Sequence, residues 1–147
     1  MKILLTCSQG GHVTEMLFLM DAFDGQDVVF LMYEHPTIRN LQYKTHRIEK
    51  IDISMWRMLK AFQKIFTILK KEKPDLIVST GSEIAIPTFV IGKMMGIKTV
   101  YIESWCRVKT KSGTGRLLYY IADVFLVQWP DLVRIYGKKA RYEGGIT

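Results

Sequence analysis

The pentapeptide Ser8-Gln9-Gly10-Gly11-His12 stands between an apolar run, Ile3-Leu4-Leu5, and a segment of helical spacing that starts at Val13. A strand that breaks into a glycine-bearing turn and then opens a helix presents backbone N–H groups to an anion. Glycine permits the close approach and positive φ that such a turn needs. His12 adds a side chain able to exchange a proton near neutral pH. Two more polar turns follow apolar runs: Thr80-Gly81-Ser82-Glu83, and Glu103-Ser104 with Arg107 shortly after. Together they offer amide donors, a histidine, two carboxylates and an arginine. Those groups are what is needed to seat a diphosphate and deprotonate a hydroxyl, with Ser8, Gly10, Gly11, Gly81, Ser82 and Arg107 binding and His12 or Glu103 acting as base. Each has a structural alternative: the glycines serve only their turns, His12 packs, and Glu103 caps a helix.

Other chemistries find no support. Ser-Gln-Gly-Gly-His is not the GxGxxG of dinucleotide sites, and no GxxxxGK[ST], GxSxG or HExxH occurs. Cys7 and Cys106 form no CxxC and have no metal-like spacing with the three histidines. No cofactor or metal is expected, and a reducing, cytoplasmic setting fits best. A formal charge of +7 points to an anionic partner without naming it. Nucleic acid is not expected, because no binding module is visible. Eight methionines, three tryptophans and 48% apolar content favour a membrane surface or subunit interface over a free monomer. The start reads as neither signal peptide nor membrane span.

Several elements must position these turns. Val13, Met16, Leu17, Met20 and Phe23 predict a helix with a broad apolar face, closed by Asp24-Gly25; Asp27 to Met32 reads as a strand. The stretch from Tyr33 to Lys50 is irregular, and Arg47 to Ile51 partly alternates as a third strand. Ser54 is the expected N-cap of a long helix to about Lys73. Its apolar positions are Met55, Met58, Leu59, Phe62, Ile65, Phe66 and Leu69, with Arg57, Lys60, Lys64 and Lys71 opposite. Basic amphipathic helices bind membranes, but the preferred expectation is a helix packed on a sheet with solvated lysines. Strands at Leu76–Ser79, Thr99–Ile102 and Val124–Val127 then alternate with helices from Pro87 to Met95, from Gly115 to Ala122 and from Pro130 to Tyr136. Residues 140 to 144 add a last short strand. Apolar strands alternating with helices predict one α/β domain over residues 1–147, a Rossmann-like doubly wound parallel sheet covered on both faces.

Three stretches resemble a known family: SQGGHVTEM, STGSEIAIP and YIESWCRVKTKSGTGRLLYYIADVFLVQWPDL. They look like the acceptor-side subunit of the split UDP-GlcNAc transferase of dolichol-linked oligosaccharide synthesis, to which short proteins of bacterial capsule and exopolysaccharide clusters are similar. The resemblance implies half of a GT-B glycosyltransferase that holds a polyprenyl-diphosphate-linked sugar, while a partner chain holds the UDP-sugar. It also implies that Gly10, Gly11 and His12 face the acceptor diphosphate, that Glu103 is the acidic position after the later strand, and that Gly81 and Ser82 form the middle loop. Arg107 lies in a matching segment. Eukaryotic members begin with a membrane-spanning helix, whereas Met1 here opens into the first strand. Anchoring is therefore expected to be peripheral, on the cytoplasmic face, through the helix after His12 or the helix after Ser54, or else to be a partner's task. A recruitment subunit without chemistry of its own, and a stand-alone binder of a small phosphorylated ligand, are the alternatives.

Overall fold

A computed structural model describes residues 1–35, 41–51 and 55–146. Seven parallel strands form one sheet: β1 (Lys2–Thr6), β2 (Asp27–Tyr33), β3 (Lys44–Ile48), β4 (Leu76–Ser79), β5 (Lys98–Ile102), β6 (Val124–Leu126) and β7 (Ala140–Arg141), in the order β3-β2-β1-β4-β5-β6-β7. The helices are α1 (Gly11–Phe18), α2 (Met55–Glu72), α3 (Ala85–Met94), α4 (Gly113–Ile121) and α5 (Pro130–Tyr136), with a 3₁₀ turn at Met20–Phe23. This is the expected Rossmann-like arrangement.

Alternation along the strands divides the core. Leu4, Leu31, Ile77, Tyr101 and Phe125 point to the face covered by Ile65 and Leu69 of α2, Phe89 of α3, Leu118 of α4 and Leu132 of α5. Ile3, Leu5, Phe30, Val78 and Ile102 point to the other, where Val13 and Met16 of α1 lie. β1 and β2 are buried on both sides, which is why they read as unbroken apolar runs. The chain turns left of β1 to β2 and β3, then crosses by α2 to β4 on its right. The loops after β1 and β4 therefore diverge in opposite directions and leave a crevice at the carboxyl ends of the strands.

Several boundaries differ from expectation. The third strand is Lys44–Ile48, pairing Ile48 with Tyr33, not Arg47 to Ile51. As an edge strand it buries only Ile48, so periodicity located it poorly. α1 ends at Phe18 and tightens into 3₁₀ geometry, a common finish for a helix. α4 starts two residues early because Ser112 caps it, its hydroxyl accepting from the Gly115 amide at 2.8 Å. Ser54, the expected cap of α2, lies outside the described residues. The expectation that α2 packs fully on the sheet holds only in part. It buries Ala61, Ile65, Ile68, Leu69 and Glu72, while Met55, Met58, Leu59, Phe62 and Phe66 stay exposed.

Candidate functional site

The crevice holds a cleft of about 410 Å³ whose lining includes Gly11, His12, Gly81, Ser82, Glu103 and Arg107. Six of the eight residues singled out in the sequence thus meet. Ser8 and Gly10 do not: they line an adjacent hollow of about 510 Å³, reached across Ser82 and Glu83, which border both. Gly10 (φ +93°) is the backbone residue that turns β1 into α1, so the start of α1 separates the two hollows.

His12 is held from the neighbouring strand. Its Nδ1 lies 3.0 Å from the Thr80 carbonyl, and the Thr80 hydroxyl donates to the His12 carbonyl at 2.8 Å. A carbonyl oxygen can only accept, so Nδ1 carries the proton and the neutral ring keeps its lone pair on Nε2. The ring also lies against Gly81: a Cβ there would fall 2.6 Å from His12 Cε1 and 2.9 Å from Nδ1. Gly81 has φ +126°, and Ser82 follows at φ +86°, a conformation rarely adopted by a residue with a side chain. A strained turn held by its surroundings thus forms the floor beneath the imidazole.

Glu103 is fully buried at the end of β5, and both of its oxygens are occupied. Oε1 accepts from the Ser104 amide at 2.9 Å and the Tyr101 hydroxyl at 3.2 Å; Oε2 accepts from the Ser112 hydroxyl at 3.0 Å, the Ser112 amide at 3.3 Å and the Tyr136 hydroxyl. Burial first, then Glu103, by its charge at Tyr101 and by its hydrogen bond and charge at Tyr136, pushes both tyrosine hydroxyls above their ordinary range, so they remain donors. The space at Gly115 is filled by Glu103 Oε2 and the Tyr136 hydroxyl, which excludes a side chain there. Glu103 therefore ties α4 and α5 to the cleft. Arg107 is an exposed rim residue, its guanidinium donating at 3.5 Å to the Thr110 hydroxyl.

A second buried carboxylate escaped the sequence reading. Glu15, on α1, accepts from the Ser104 hydroxyl at 2.9 Å, the Trp105 amide at 3.3 Å and Gln128 Nε2 at 3.3 Å. Gln128 also donates to the Glu103 carbonyl at 2.9 Å. These bonds lock the helix carrying His12 to the ends of β5 and β6. A faint signal was present: at about 100° per residue Glu15 falls between the apolar Phe18 and Leu19 on the helix circumference. Beyond Glu15 the wall becomes apolar, where Phe18, Trp105 and Ile146 line a hollow of about 290 Å³. Among the described residues no group of three His, Cys, Asp or Glu side chains is placed to hold a metal, and no helix is long and apolar enough to cross a membrane.

Residues 43–146 match the family described as oligosaccharide biosynthesis protein Alg14 like. The chain is 28% identical over 181 residues to the human UDP-N-acetylglucosamine transferase subunit ALG14, covering all of this chain and 83% of that protein. It is 31% identical over 173 residues to the subunit of the same name from Schizosaccharomyces pombe, covering 97% and 81%. Among solved structures, MurG from Acinetobacter baumannii superposes with a TM-score of 0.80 at 18% identity. The match covers 98% of this chain and 46% of the MurG chain, so this chain spans about half of that protein. The likeness in fold is to one half of a GT-B glycosyltransferase. By the family match over most of its length and its near-complete overlap with curated members, the chain belongs to the Alg14-like family, whose named members are subunits of a UDP-GlcNAc transferase.

Proposed function

We propose that residues 1–147 act as the acceptor-binding subunit of a two-component UDP-sugar transferase, working on a polyprenyl-diphosphate-linked sugar at the cytoplasmic membrane face. The observation that carries this reading is His12: its tautomer is set by the Thr80 carbonyl, and it lines the cleft formed where the β1 and β4 loops diverge. Nε2 takes the proton of the acceptor hydroxyl as that oxygen bonds to the anomeric carbon of the donor sugar, and the bond from that carbon to UDP breaks. A base so placed contributes about 10²–10⁴-fold.

The amides at the start of α1 and the Gly81-Ser82 turn would receive the diphosphate, with Arg107 at the rim. Glu103 is better suited to positioning than to proton transfer, since five donors already occupy its oxygens. The sugar donor and the wall that binds it belong to a partner chain, a donor-binding glycosyltransferase subunit. This assignment is supported by the names of the relatives, each of which is called a transferase subunit.

The test is co-expression with the cognate donor subunit and an assay of sugar transfer to a detergent-dispersed diphospholipid-linked sugar. His12→Ala is expected to lower transfer by at least about a hundredfold without loss of the complex. Full activity in His12→Ala would overturn the catalytic assignment and favour a recruitment subunit.

A further inference from the structure

Another hollow, of about 430 Å³, is formed by α4, the loop before it and the end of α5, and has no part in the reading above. It is lined by Lys111, Arg116, Tyr119, Tyr120 and Tyr136, none of which lines the cleft. Five side chains thus supply two cations and three phenol rings, with no carboxylate among them. Arg116 and Tyr120 stand four residues apart on α4, the spacing that puts both on one face of a helix. Both are exposed, Tyr120 to 81%.

The aromatic floor is held in place. Tyr119 and Tyr136 stack with ring centres 5.6 Å apart and planes at 28°, and Tyr120 stands edge-on to Tyr119 at 5.2 Å and 86°. The Lys139 amide donates to the Tyr119 hydroxyl at 3.3 Å. Gly137 makes room for that hydroxyl, since a Cβ there would fall 2.9 Å from it. The Tyr136 hydroxyl donates to Glu103, so the hollow backs onto the wall of the cleft. Lys111 Nζ lies over the Tyr136 ring, 5.0 Å from its centre. Among the described residues no ion pair takes up the charge of Lys111 or Arg116.

Such a set suits a ligand that is both flat and anionic. Arginine meets phosphate oxygens through two N–H groups at once, and lysine meets them as a point charge. An aromatic face stacks any nucleobase. A neutral sugar fits less well: the cations only donate, and no carboxylate or amide side chain is present to accept from its hydroxyls. The volume is that of a small-molecule site, roughly 300–1,000 Å³. We infer that this hollow binds a nucleoside diphosphate, its base stacked on Tyr120 and its phosphates held by Arg116 and Lys111. The chain then has a nucleotide site of its own, apart from the donor wall that the reading above places on the partner.

The full chain, without a partner, is titrated in a calorimeter with UDP, uridine and inorganic pyrophosphate. UDP is expected to bind with a Kd below about 1 mM. Uridine, which lacks the phosphates, and pyrophosphate, which lacks the base, are each expected to bind at least about tenfold more weakly. Arg116→Glu and, separately, Tyr120→Ser are each expected to weaken UDP at least about tenfold. Both side chains are exposed, so thermal melts should match wild type. His12→Ala and Arg107→Ala, in the cleft, should bind UDP as wild type does. Failure of UDP to bind overturns the inference, and so does pyrophosphate binding as tightly as UDP, which would leave a bare anion site. UDP binding that survives both α4 variants and falls in Arg107→Ala puts the nucleotide in the cleft and likewise overturns it. A changed oligomeric mass in Tyr120→Ser, with UDP binding intact, marks a protein interface in place of a ligand site. The transferase reading is tested by His12→Ala in the co-expressed pair, so it stands or falls independently of these titrations.

Discussion

At the scale of single residues, His12 and Gly81 behave as one unit. The imidazole occupies the space a Cβ at position 81 would need, and the backbone there has φ +126°. Gly81→Ala is therefore expected to cost about 1–3 kcal/mol of stability, read from urea unfolding. It should also displace the ring from Thr80, lowering transfer alongside His12→Ala. Glu103→Gln leaves Ser112 and Tyr136 facing an amide that cannot accept all their hydrogen bonds, so a loss of about 1–3 kcal/mol is expected. A transfer defect in Glu103→Gln without a lower melting temperature would restore Glu103 as a candidate base. Six residues of the cleft lining, Gly11, His12, Gly81, Ser82, Glu103 and Arg107, were visible in the sequence because they lie in the turns that follow strands. Those that hold them were not: Glu15 meets Ser104 and Gln128 from 89 and 113 positions away, and a linear pattern carries no trace of such pairings. Glu103 was visible as an acid at a strand end, but its five donors come from β5, the turn after it, the N-cap of α4 and α5, so its role emerges only in the fold.

At the scale of elements, the opposite end of the sheet is pinned by one carboxylate. Glu72, the last residue of α2, is buried and bonded to Lys2 at 2.7 Å, Lys44 at 2.7 Å and His46 at 2.6 Å. Burial alone would raise its pKa, but these partners outweigh burial and hold it down to about 2, from an ordinary value of 4.5. A depressed acid stabilises the fold fully above its unfolded pKa and loses that contribution as pH falls through the folded one. Stability should thus decline between pH 4.5 and about 2 in wild type. Glu72→Gln should flatten this part of the decline while costing about 1–3 kcal/mol at neutral pH. Denaturation midpoints at pH 6 and pH 3 check both statements. Glu72 also shows how far elements can be read from pattern. β1 and β2, buried on both faces, were plain in the sequence. β3 was not, since His46 and Lys44 point to a polar partner on α2 and only Ile48 enters the core. The helical period of α2 was legible throughout; what periodicity does not report is which apolar positions find a neighbour.

At the scale of the whole molecule, the candidate cleft lies at one end of the sheet and the Glu72 cluster ties elements together at the other. The cleft is bounded by β-strand ends, the loops that leave them and the starts of α1 and α4; under the proposed function, the chain is expected to purify with a donor-binding partner when the two are co-expressed. Sugar transfer by this chain alone, at the rate of the pair, would contradict that. The cysteines give this open geometry a practical meaning. Cys7 is buried at the end of β1, and burial pushes its thiol up to about 12, so it is protected as well as hidden. Cys106 is exposed and lines the cleft. The protein thus carries a single addressable thiol, already located at the mouth of the site. An alkylating reagent should label one cysteine per native chain and two after unfolding, and a bound diphospholipid acceptor or donor subunit should slow the first reaction. Occupancy of the cleft can then be followed by mass spectrometry on the unaltered sequence, before either natural ligand has been identified.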